Sequence, residues 1–200
     1  MTKMIELVLA SRNKKKIEEL KAILADMPVR ILSLADFPEI PETPETGNTF
    51  AENAELKAQA AAEATGRIAL ADDSGLEVDA LNGQPGVLSN RFAGPGASDQ
   101  DKYMRILELL QGVPDEKRTA RFRAAIAIAL PNGPVTTVEG SCEGRIAQEP
   151  RGDHGFGYDP IFYLPHLNKM MAELLPEEKN AISHRAKALQ KAKEALSNIK

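Results

Sequence analysis

The sequence predicts a mixed α/β domain, and three observations carry that expectation. The first third alternates strand, helix and strand. A long hairpin with one strongly apolar face occupies the region from Ala120 to Glu139. A helix closes the chain, running from about Pro176 or Glu177 to Asn198. Two hundred residues suit one domain, 1–200, with room for two lobes around a cleft. No repeat, low-complexity segment or linker divides it.

Composition narrows the class. At 42% hydrophobic and 27% charged residues, the chain reads as a soluble globular protein. It can bury a core without staples. The single Cys142 rules out an internal disulfide and fits a reducing compartment, so a cytoplasmic location is expected. The start, Met1 to Glu6, holds no long apolar run of the secretory kind. No apolar stretch approaches the roughly 20 residues of a membrane span. The net charge of −4 argues against broad nucleic-acid binding.

In order along the chain, Ile5 to Ala10 reads as a strand. Ser11, Arg12 and Asn13 follow, then an amphipathic helix from about Lys14 to Leu24, with Ile17, Leu20, Ile23 and Leu24 at helical spacing. Ser11 and Asn13 are both N-cap candidates. A strand that delivers the chain to a helix N-terminus makes an anion site, because free N–H groups and the dipole face the ligand. Lys14, Lys15 and Lys16 add cations there, against the macrodipole, which an anion nearby would rationalise. A lysine-bearing surface helix is the plainer reading of those three residues alone.

Val29 to Leu34 is a second strand. Pro38, Pro41 and Pro44 make an extended connector threaded with Glu39, Glu42 and Glu45, most of them expected in solvent. Thr49 to Glu52 has the form of a capping box, and the alanine-rich helix it opens stops at Gly66. Glu45 therefore sits just ahead of a helix start. A helix from Asp99 or Gln100 to Leu110 ends at Gly112 and Pro114. In the hairpin, Ala120, Phe122, Ala124, Ile126, Ile128 and Leu130 line one face, and Pro131-Asn132-Gly133-Pro134 turns the chain.

The stretch Ala71-Asp72-Asp73-Ser74-Gly75 follows a short strand, Ile68 to Leu70. Neighbouring strand residues point to opposite faces, so Asp72 and Asp73 do not both turn the same way, and one is expected to face a cleft. Gly75 is expected to permit a sharp exit from the strand. Carboxylates beside a hydroxyl suit a hard cation or a general base; a polar turn is the plainer alternative. Further on, Gly155-Phe156-Gly157-Tyr158-Asp159-Pro160 sets two rings either side of a glycine. Phe156 and Tyr158 can offer flat faces to a planar ligand, or pack in the core. In the closing helix, Ile182, Leu189 and Leu196 form the buried stripe. His184 lies about 200° from Ile182 and faces away from it. Lys179 and Arg185 share a pocket with it only if that pocket wraps the helix start.

Five stretches, in this order, resemble the inosine triphosphate pyrophosphatase family: Ser11 to Lys16, Glu45 to Ala54, Ala71 to Leu76, Gly155 to Phe162, and Glu178 to Arg185. They span nearly the whole chain. The resemblance implies a mixed α+β fold of two lobes, with a long twisted mixed sheet flanked by helices and a cleft between the lobes. It implies a homodimer, a Mg²⁺ cofactor, and hydrolysis of non-standard purine nucleoside triphosphates (ITP, dITP, XTP) to monophosphate and pyrophosphate. Carried over residue by residue, Ser11, Arg12, Asn13, Lys14, Lys15 and Lys16 would cradle the phosphates. Glu45 and Asp73 would hold the metal, Asp73 would also accept a proton, and Ser74 would touch substrate. Phe156, Gly157, Tyr158 and Asp159 would line the base pocket, and Lys179, His184 and Arg185 would complete it. Leu88, Asn90, Phe92 and His154 depart from the family's usual pattern, away from the carboxylates.

The chemistry is self-consistent. Mg²⁺ keeps several waters, so one or two carboxylates suffice to hold it. Donors around a base favour a 6-oxo acceptor and reject the 6-amino group of adenine. Guanine carries the same oxo group, so its rejection needs another feature. Two rivals stand beside this reading: a nucleotide-binding protein without turnover, which would lack Asp73 or Glu45, and a nucleic-acid module, which the acidic balance opposes.

Overall fold

The computed structural model describes residues 5–199; Met1 to Met4, within the Met1–Glu6 stretch considered for a secretory run, lie outside the described residues. The first strand, β1 (Ile5–Leu9), hands the chain to α1 (Lys14–Ile23) and then to β2 (Val29–Ser33). The proline-rich connector leads to α2 (Phe50–Thr65), then β3 (Ile68–Val78), α3 (Asp99–Leu109), β4 (Thr119–Ala129) and β5 (Val135–Ile146). Short strands β6 (Phe162–Leu164) and β7 (Lys169–Met170) precede α4 (Pro176–Ile182) and α5 (His184–Ser197). The strands form one mixed sheet in the order β2-β1-β3-β4-β5-β6-β7. β1 pairs in parallel with β2 and β3, while β6 pairs antiparallel with β5 and β7. The expected mixed α/β class with a sheet flanked by helices is borne out.

The chain divides into two compact units. The first comprises the chain up to Asp73, Ala124–Gly140 and the segment from Arg185 onward; the second comprises Ser74–Arg123 and Ser141–His184. Each has its own apolar core. In the first, Leu7, Leu9, Leu70 and Ile126 of the sheet pack with Ile17 and Leu20 of α1 and Leu189 and Leu196 of α5. In the second, Leu76, Phe122, Tyr158, Phe162 and Leu174 are central.

The alternation read in β4 changes character along the strand. Arg121 and Arg123 are partly exposed, yet Ala125, Ala127 and Ala129 are as buried as Ile126 and Ile128. From Ala124 onward both faces are covered, as expected of a strand with helices on each side. Small residues mark one of those faces. Ala54, Ala58, Ala61 and Ala62 of α2 are all buried, as are Ala69 and Ala71 of β3.

Two expectations need correction. β3 does not end at the carboxylates: it runs through Ser74 and Gly75 to Val78. The backbone stays extended through both aspartates, and their side chains leave the strand on opposite faces. The closing helix is also not continuous. Ser183 takes an extended backbone (φ −64°, ψ 159°) and separates α4 from α5. The stripe is thereby split, with Ile182 packing on the second unit's core and Leu189 and Leu196 in the first's.

The ends of α2 follow their sequence signals. The Thr49 side chain accepts the N–H of Glu52, and Gly66 closes the helix in the left-handed region at φ 63°. A Cβ at Gly66 would meet nothing within 4 Å. Gly66→Ala is therefore expected to cost about 1 kcal/mol through backbone conformation alone, measured by urea denaturation.

Candidate active site

Adjacent carboxylates on a strand must leave by opposite faces, and β3 uses both. Asp72 turns to the face of Leu70, toward α1 and α5. There Lys16 Nζ lies 2.7 Å from Asp72 Oδ1, and the Arg185 guanidinium forks onto the same carboxylate, Nε to Oδ2 at 3.0 Å and Nη2 to Oδ1 at 3.3 Å. Arg185 Nη1 donates to Glu19. The Asp72 side chain is fully buried. Burial alone would raise its pKa, but Arg185 and Lys16 outweigh that and hold the carboxyl well below the usual range.

Asp73 turns to the face of Ala69 and Ala71, beneath α2. Lys57, the one basic residue of α2, reaches down to it: Nζ lies 2.7 Å from Asp73 Oδ1, 3.0 Å from Glu45 Oε1 and 3.1 Å from the Asp72 carbonyl oxygen. Two carboxylates distant in the chain thus close on one cation. Burial pushes the Asp73 carboxyl up, against the pull of Lys57. Burial opposes the Lys57 ammonium too, but Asp73 and Glu45 raise its pKa. Of the connector glutamates, Glu39 and Glu42 are exposed as expected, whereas Glu45 is turned partly inward. Its loop is braced by Asn53, whose side-chain oxygen accepts the Gly47 N–H at 2.8 Å. Among the described residues, no group of three or more His, Cys, Asp or Glu forms a metal cage. The pair nevertheless suits a hard cation, since its oxygens already share a positive charge and Mg²⁺ retains water at its other positions.

The α1 N-terminus is built as the sequence suggested, with Asn13 as cap: its side-chain oxygen accepts the Lys16 N–H at 3.2 Å. Ser11 Oγ accepts the Asn13 N–H at 3.1 Å. Lys14 and Lys15 are exposed there. Lys16 is instead buried on Asp72, and Arg12 donates to the carbonyls of Phe37 and Ile40, tying down the connector.

Within the second unit, the loop at 155–159 is held by two carboxylates. Asp159 Oδ2 accepts the Phe156 N–H at 3.0 Å and lies 2.7 Å from Lys179 Nζ. Asp99 accepts the Gly157 N–H at 2.8 Å. Gly155 is required at φ +76°, because a Cβ would fall 2.1 Å from Asp159 Oδ2. Phe156 is half-buried, with Lys179 Nζ 4.7 Å from its ring centroid. The ring of Tyr158 goes to the core, and its hydroxyl donates to the Ser89 carbonyl at 2.7 Å. His184 is buried with its ring stacked on Phe122, centroids 4.9 Å apart. Ser74 is partly buried in β3. The departures Leu88, Asn90 and His154 are all exposed.

The structure therefore joins Glu45 with Asp73, Lys16 with Arg185, and Phe156 with Asp159 and Lys179. Sequence reasoning missed Lys57, Asn53, Asp99 and Glu19. Lys57 had a legible signal: it is a lone lysine one turn after Asn53 and beside Ala58, on the buried stripe of an alanine-rich helix.

These features define a mixed α/β protein built around a carboxylate pair that shares one cation. The chain belongs to the Ham1 family, whose model matches residues 7–195, and the family likeness read from its motifs is borne out. It is 55% identical to the dITP/XTP pyrophosphatase of Desulforamulus reducens, over 98% of this chain and 97% of that one. It is 48% identical to the dITP/XTP pyrophosphatase of Bacillus subtilis, over 96% and 98%. The fold matches a HAM1 protein from Coxiella burnetii with a TM-score of 0.89 and 45% identity, covering 98% of this chain and all of the other.

Asp72→Asn is expected to cost about 3 kcal/mol at neutral pH, because it leaves Arg185 and Lys16 short of a buried counter-charge. Asp72 binds its proton less tightly folded than unfolded. Its contribution is thus full above the ordinary aspartate pKa of about 3.9 and fades as pH falls below it. Urea titrations from neutral to acid pH should show wild type losing stability below about pH 4 more steeply than the variant.

Proposed function

We propose that this chain hydrolyses non-standard purine nucleoside triphosphates (ITP, dITP and XTP) to the monophosphate and pyrophosphate, using Mg²⁺ held by Glu45 and Asp73. The observation that carries the reading is the closure of those two carboxylates on a single cation, Lys57, at 3.0 and 2.7 Å. The names of the relatives, dITP/XTP pyrophosphatases at about half identity over the full length, support the substrate class.

When bound, Mg²⁺ supplies charge relief on the triphosphate and makes water more acidic. The chain's own groups supply the rest. Water attacks the α-phosphorus, and the bond from that phosphorus to the oxygen bridging the α and β phosphates breaks. Asp73 Oδ takes the proton of the attacking water; a carboxyl pushed up by burial is a stronger base than an ordinary aspartate. The N-terminus of α1, with Lys14 and Lys15, offsets charge on the departing pyrophosphate. Phe156 stacks on the base, and the Lys179 ammonium beside it favours a 6-oxo group over a 6-amino group. His184 and Arg185 belong to the same proposal as base-recognition residues, with the backing ion pairs of Arg185 holding its position.

The proposal includes a homodimer, as the resemblance in the five motif stretches implies. A cytoplasmic location is supported by the lone, buried Cys142, and among the described residues no helix is long and apolar enough to cross a membrane.

Pyrophosphate release from ITP, XTP, GTP and ATP, with and without Mg²⁺, tests the reading. Turnover of ITP and XTP should exceed that of ATP and vanish on chelation. Asp73→Asn should lower kcat by about 100-fold or more, and near-normal turnover by that variant would remove Asp73 from the chemistry. Phe156→Ala should raise KM for ITP about tenfold, in line with the usual worth of a base–aromatic stack.

A further inference from the structure

The Lys57 ammonium donates three hydrogen bonds, one to each of Glu45, Asp73 and the Asp72 carbonyl. Three is the full capacity of an ammonium group. The side chain is 13% exposed and comes from a helix whose neighbouring residues are mostly alanine, so it is directed at this seat by the packing of α2. A divalent ion that takes oxygens from both Glu45 and Asp73 needs the position at which their oxygens converge, and that position is where Nζ lies.

We infer that Lys57 and the divalent cation are alternative occupants of one seat: the ammonium keeps Glu45 and Asp73 paired and pre-aimed, and the ion must displace it to bind. The inference rests on the assignment of Glu45 and Asp73 as metal ligands. It gives Lys57 the role of a positioning residue that acts on the ion through the two carboxylates. Two like charges cannot share the seat without strong repulsion. The competition therefore weakens metal binding to the protein alone while protecting the carboxylate pair from mutual repulsion.

A merely structural lysine and a competing one predict opposite signs. Losing a structural support loosens the site, whereas losing a competitor tightens it. Mn²⁺ binding without nucleotide, followed by electron paramagnetic resonance, should be at least about tenfold tighter in Lys57→Met than in wild type. Lys57→Gln provides a second variant should the first not fold, and the same tightening is expected. Glu45→Gln should bind Mn²⁺ more weakly than wild type. The wild-type protein gives an independent reading: reductive methylation of Lys57, followed by peptide mass spectrometry, should speed up when Mn²⁺ is added. Unchanged or weaker Mn²⁺ binding in the Lys57 variants, with Glu45→Gln impaired, would overturn the competition alone. Wild-type affinity in Glu45→Gln would instead overturn the metal assignment on which it stands. Methylation that Mn²⁺ leaves unchanged would also count against displacement.

Discussion

Two aspartates, side by side on β3, leave the strand on opposite faces, and each meets its own set of cations. Asp72 is gripped by Lys16 of α1 and Arg185 of α5. Asp73 is gripped by Lys57 of α2. A bare carboxylate at either depth would carry a desolvation cost of several kcal/mol. Three helices are therefore committed to this one dipeptide. Their basic residues are placed by the same alternation that sorts Leu70 from Ala69 and Ala71.

The two environments push the carboxyls apart in acidity. Asp72, facing the cations of Arg185 and Lys16, is kept ionised and serves as an anchor. Asp73, with Glu45 nearby and one shared ammonium, is raised by burial. Neighbouring acids in unlike environments diverge in this way wherever burial and counter-charges differ. Here the divergence comes from the pleat, with no need for a special loop.

How far the sequence disclosed this depended on the range of the forces involved. The ends of α2 were legible because Thr49 and Gly66 act locally, within a turn of their own backbone. So was the hairpin, whose period is written in β4. Asp73 and Glu45 were legible through motif likeness and, for Glu45, through its position just ahead of α2; the strand end read at Asp73 was not there. The break at Ser183 was not: serine is tolerated in helices, and the stripe Ile182, Leu189, Leu196 keeps helical spacing across it. What decides the break is tertiary, since Ile182 and Leu189 pack in different cores. Tyr158 was ambiguous between ligand and core because its partner, the Ser89 carbonyl, is 69 residues away. The pairing of Arg185 with Asp72, across 113 residues, was beyond any local signal.

The alanine face of α2 has a consequence for what the family's chemistry can tolerate. Methyl groups let a helix lie close on a sheet, so the depth at which Lys57 delivers its charge is gauged by the thickness of Ala54, Ala58 and Ala61. A branched side chain at any of these would act as a shim. The helix would lift, the lysine would fall short of two carboxylates at once, and a purely steric change would surface as a lost pairing of Glu45 with Asp73. Steric bulk and electrostatics are, in this part of the molecule, the same variable.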